Sequence, residues 1–186
     1  MKPSQVLLAN ATKQNHLCIR FFYDIYDSPH PASFCRVLDG PNIAPGPEHE
    51  TISSIHVTVH SELQPGSTGV VHIGTMALEL DPSGPTAKVA VKLAFSRGEK
   101  SRLKEEHHIY SHLHSRRVQG IPYVIGLFVD EDLLLGSEGP HGLVMTYAGV
   151  SLFRRNELAS DSVKQVVSFT SLTILMAIAG IRCLRR

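Results

Sequence analysis

Ile55, Val57 and Val59 alternate with His56, Thr58 and His60. An apolar period of two sends one face of an extended segment into a core and the other toward solvent, so this stretch is a half-buried strand that needs neighbours. The residues that follow provide them. A glycine turn at Gly66 to Gly69 leads into an apolar run from Val70 to Leu80, and the turn Asp81-Pro82-Ser83-Gly84-Pro85 leads into another from Lys88 to Phe95. Three such runs joined by short turns make an antiparallel meander. Next, Ser101 to Ser115 carries Leu103, Ile109, Tyr110 and Leu113 at helical spacing among charged residues, which predicts an amphipathic helix. Two short apolar runs, Tyr123 to Val129 and Gly142 to Tyr147, are bounded by turn formers and read as strands. The expected fold class is α+β, a five-stranded antiparallel sheet with one packed helix.

The flanks read differently. Leu17 to Tyr26 is rich in aromatic and β-branched residues and is either a strand or a short buried helix, since periodicity does not decide. Pro29, Pro31, Pro41, Pro45 and Pro47 break up Ser28 to Pro47, which predicts a surface loop. Residues 1–50 are therefore expected as an N-terminal extension with a proline-rich loop, ahead of a unit over 51–150. Beyond Tyr147 the sheet pattern stops, and Ser160 to Ala179 is a strongly apolar helix candidate with Gly180 just past its end.

Composition excludes some classes. Eighteen Lys and Arg against seventeen Asp and Glu leave no basic surplus of the kind phosphate-neutralising proteins carry, so nucleic acid is not an expected partner. Cys18, Cys35 and Cys183 form neither a C-x-x-C pair nor an even framework, which suits reduced thiols and a cytoplasmic location. The run Val6 to Ala9 is too short for a secretory leader.

Chemistry concentrates in three places. Gly66-Ser67-Thr68-Gly69-Val70-Val71 lies between two expected strands, where glycines let backbone amides turn toward an anion; taken singly, it is also an ordinary hairpin turn. Lys92 ends the apolar run Val89-Ala90-Val91, where a buried ammonium calls for an anion. Glu106 lies on the following helix, three and four residues before Ile109 and Tyr110, so its carboxylate can face the sheet.

In this order, these segments resemble the small lobe of the eukaryotic protein kinase family, of the fungal type. The resemblance covers about Ile55 to Leu152. It implies a kinase-like small lobe followed by a partial helical large lobe over 151–186. It also implies ATP as ligand, covered by Gly66, Ser67, Thr68 and Gly69, with Lys92 on its α/β-phosphates and Glu106 holding Lys92. Val71 and Ala90 match the adenine-pocket wall, and Leu143 to Gly149 resembles the last strand and hinge, with Met145 as gatekeeper and Thr146 and Ala148 offering backbone contacts. Gln64 stands where the family has its first glycine. At the carboxyl end, Cys183 and Arg185 occupy the places of the family's His-x-Asp, so the catalytic aspartate and the magnesium ligands are missing. The resemblance therefore implies nucleotide binding, with serine/threonine phosphorylation not expected of this chain alone.

Three other readings compete. His108 and His112 have the i, i+4 spacing of a zinc pair. Residues 166–181 carry no charge and precede Arg182, Arg185 and Arg186, as in a tail anchor, but the run is short for a span and contains four hydroxyl residues. A buried helix or a docking site for a protein partner is the preferred reading of it. A non-catalytic pseudokinase-type interaction module is the remaining alternative.

Overall fold

The computed structural model describes residues 3–23, 26–27, 31–37, 54–63, 69–78, 84–130 and 139–149. In chain order the elements are α1 (Pro3–Ala11), β1 (His16–Tyr23), β2 (Tyr26–Asp27), β3 (Ala32–Arg36), β4 (Ser54–Glu62), β5 (Val70–Ala77), β6 (Ala87–Ala94), α2 (Arg97–Ser115), β7 (Val124–Asp130) and β8 (His141–Thr146).

The alternation at Ile55, Val57 and Val59 becomes β4, with all three side chains buried. The meander β4–β5–β6 forms as expected, and β8 and then β7 extend it beyond β6. The expected open five-stranded sheet is nevertheless wrong. Such a sheet has two free edges, here β4 and β7, each a row of unpaired backbone groups. β1 pairs in parallel with β4, β3 pairs antiparallel with β7, and β1 pairs antiparallel with β3. Seven strands thus close into a barrel in the cyclic order β1-β3-β7-β8-β6-β5-β4, and the two-residue β2 hangs on the end of β1. The protein is a closed β-barrel with two helices among its described residues, not a kinase-like sheet with one packed helix. Both closing strands come from the stretch expected as an extension.

Closure creates an inside and an outside. Leu17, Ile19, Phe34, Ile55, Val57, Val59, Met76, Val89, Val91, Ile125 and Val144 are buried in one apolar cluster, which fills the barrel as interior positions of small barrels are filled. Leu7 and Ala11 of α1 belong to the same cluster and cover one end of it. Arg36, at the end of β3, fastens α1 there: Nη2 donates to the Ala11 carbonyl (3.1 Å), Nε to that of Gln14 (2.7 Å) and Nη1 to that of Ile125 (2.8 Å). Its guanidinium also lies 4.7 Å from the centre of the Phe128 ring.

A second cluster lies outside the barrel wall, where Leu103 of α2 is buried against Ala94, Leu127, Leu143 and Met145. The helix begins four residues earlier than its apolar pattern predicts. Ser96 and Glu99 form a capping box: the Ser96 hydroxyl accepts from the Glu99 amide (3.3 Å), and the Glu99 carboxylate accepts from the Ser96 amide (2.9 Å). At its other end, the Nε2–H of His114 donates to the Pro122 carbonyl (3.0 Å), and its ring meets that of Tyr123 edge-on. Residues 151–186 lie outside the described residues, and with them the expected large-lobe segment, the helix over Ser160 to Ala179 and the proposed span at 166–181.

Candidate functional site

Because side chains alternate across a strand, one row of outward positions runs over several strands at the same height. Val71, Lys92 and Leu143 are direct partners on β5, β6 and β8, and Ile73, Ala90 and Met145 form the next row. Five of the residues singled out from sequence, Val71, Ala90, Lys92, Glu106 and Met145, therefore meet on one outer face of the barrel, beside α2.

At its centre the Lys92 ammonium donates to both carboxylate oxygens of Glu106, at 2.9 and 2.8 Å. The side chains are 16% and 21% exposed, so most of each is shielded while one side of the pair stays open. The geometry follows from local causes. Burial of Val91 and Leu93 inside the barrel turns Lys92 outward, and burial of Leu103 against the wall turns Glu106 inward one turn later along the helix. An ammonium has three donors, and Glu106 takes two. The arrangement holds a cation in place with a donor still to give.

Tyr110, one helical turn after Glu106, belongs by its spacing to the apolar face of the helix and is not among the candidate site residues. Its hydroxyl pKa is raised, first by burial and then by the Glu106 carboxylate, so it stays protonated beside the pair. The i, i+4 relation to Glu106 was the available signal.

Gly69 has φ of +122°, and an added Cβ would run into the Leu93 carbonyl, so the position requires glycine on backbone grounds alone. Gly66, Ser67 and Thr68 lie outside the described residues. Thr146 ends β8 with its amide donating to the Tyr123 carbonyl (2.8 Å) and its hydroxyl accepting from the Tyr123 amide (2.8 Å). It therefore has no amide to offer a ligand. Ala148 is exposed just beyond the strand. The positions of Cys183 and Arg185 lie outside the described residues.

Among the described residues, no group of three or more His, Cys, Asp or Glu side chains stands ready to hold a metal ion. The His108 and His112 pair thus lacks a third ligand there. No helix among the described residues is long and apolar enough to cross a membrane, which has no bearing on strands.

A scan against protein-family models finds no match to the chain, and a search of the curated proteins finds none.

Proposed function

We propose that the outer face carrying Lys92 binds the phosphates of a nucleotide of the ATP class, in the cytoplasm. The observation that supports this reading is the two-pronged contact of Lys92 with Glu106, which fixes an ammonium beside an apolar wall of Val71, Ala90 and Met145. Fixing the cation in advance lowers the ordering cost of meeting a polyphosphate. The apolar row alongside suits a flat aromatic base. The resemblance of the motif order to protein kinases points to the same ligand, and under this reading the role of the pair is to hold nucleotide.

Thermal unfolding with and without millimolar ATP tests it. A ligand that binds only the folded state raises the midpoint by mass action, by about 2.7 kcal/mol of stability at a hundredfold excess over Kd. The parent is expected to shift, and K92A to lose most of that shift while retaining a cooperative transition. Equal shifts in both remove Lys92 from the site; no shift in the parent removes the nucleotide.

A further inference from the structure

The face that carries Lys92 continues past its apolar row to a third row of outward positions, Thr75, Lys88 and Tyr147. Thr75 is the direct partner of Lys88 across β5 and β6, and the Tyr147 amide donates to the Lys88 carbonyl (3.2 Å). Lys88, Ala90 and Lys92 therefore follow one another along the same side of β6. Lys88 stands four residues from Lys92, about 13 Å at the rise of an extended chain. It is exposed, yet its ammonium has a seat: Nζ lies over the face of the Tyr147 ring, 4.2 Å from its centre, where the ring quadrupole attracts a cation. Two ammonium groups thus close the two ends of one strip, one held by a carboxylate and the other by an aromatic ring, with Ile73, Ala90 and Met145 between them.

The preference that follows depends on the nucleotide reading of this face: phosphates at Lys92 lay the base along the apolar row and bring its far edge to the third row. An ammonium is donor-only, with three N–H groups and no acceptor. The groups around it are already engaged. The Thr146 amide donates to the Tyr123 carbonyl (2.8 Å), and the Thr146 hydroxyl accepts from the Tyr123 amide (2.8 Å). The Thr75 hydroxyl lies in hydrogen-bond contact with His60 Nε2 (3.1 Å). A base is therefore met at this end by a donor. Guanine presents two acceptors side by side, O6 and N7, whereas adenine sets the amino group on C6, itself a donor, beside its N7. We propose that this face selects guanine over adenine nucleotides, with Lys88, steadied by Tyr147, donating to the O6 and N7 edge as the specificity-determining residue. A fully formed contact of this kind discriminates by roughly 5–150-fold. Because Lys88 is exposed and its charge is screened, about three- to tenfold is expected here.

Calorimetric titration of the full chain with GTP, ATP and ITP tests it. The parent is expected to bind GTP about three- to tenfold more tightly than ATP. K88M is expected to bring the two dissociation constants together, chiefly by weakening GTP, and Y147L to narrow the gap by releasing the ammonium from its seat. ITP keeps O6 and N7 and lacks the amino group on C2, so it is expected to bind like GTP; this arm uses the parent alone and stays decisive if a variant fails to fold. ATP bound by the parent as tightly as GTP, K88M with the parent's ratio, or ITP bound as weakly as ATP overturns the role of Lys88 and leaves the nucleotide site standing. Failure of the parent to bind any of the three removes the nucleotide site and this preference together.

Discussion

Lys92 and Glu106 each leave an unbalanced charge behind if the other is removed. Breaking a fully buried pair costs about 3–5 kcal/mol. Both side chains here keep a solvent-facing side, which reduces the expected loss for K92A to about 1–3 kcal/mol, measured by urea unfolding. E106Q keeps the shape, leaves Lys92 without its counter-charge, and is expected to lose less stability than K92A. Arg36 has the larger structural role, because three backbone carbonyls, two in the turn that ends α1 and one on β7, depend on its guanidinium. R36A is expected to cost about 3–5 kcal/mol, with R36K recovering little because an ammonium cannot reproduce the planar fork. The two sites differed in how far the sequence revealed them. Lys92 announces itself as a charge ending an apolar run, and Glu106 as the next acidic group one helix on. Arg36 sits in a proline-rich stretch, and one of its acceptors, Ile125, is 89 residues away, a relation no local pattern records.

Among the elements, those with a strong local period were legible: β4, β5, β6, β7, β8 and the body of α2 all lie where alternation or helical spacing puts them. The first turn of α2 carries no apolar position of the helical stripe, and its start is marked instead by Ser96-x-x-Glu99, a capping-box signature. Loss of that cap in S96A is expected to cost about 1 kcal/mol. The Glu99 pKa is lowered, first by the Ser96 backbone hydrogen bond and then by the Ser96 side chain. The cap is therefore complete above the ordinary carboxylate range and is lost as pH falls through the depressed value. The prolines around β3 predict a loop, yet Pro31 only precedes the strand and leaves Ala32–Arg36 free to pair on both sides. Phe34, buried at its centre, marks it as a core strand. F34A is expected to cost about 3–5 kcal/mol by chemical denaturation, whereas a loop residue would cost little.

For the whole molecule, the closed barrel was the part the sequence did not disclose. The deciding pairing, β1 parallel to β4, joins segments separated by the whole proline-rich stretch, and nothing local distinguishes a strand that closes a barrel from one on an edge. Closure also sets the response to acid. His72 is buried on the inward face of β5, its ring edge-on to Phe21 and its Nε2 3.8 Å from a Glu62 carboxylate oxygen. Burial lowers its pKa, against smaller opposing effects of Glu62 and of the Val91 backbone, and burial lowers that of His56 as well. Above an unfolded histidine's pKa of ~6.5, neither the folded nor the unfolded state is protonated, and this contribution to stability is fully present. Below it, the unfolded chain takes up protons that the barrel refuses, and the contribution is lost until the depressed folded values are passed. Denaturation at pH 7.5 and 5.5 is expected to show a less stable protein at the lower pH, with H72L removing a large part of the difference.

Lys92 lies on the outer face among Val71, Ala90 and Met145, while the barrel interior lies elsewhere. Amide chemical shifts followed by NMR during an ATP titration read that placement directly. Saturable shifts concentrated at residues 69–73, 90–94 and 143–148 and around Glu106, absent in K92A, are the predicted result. Shifts confined to β1 and β3, or none at millimolar ATP, would contradict it.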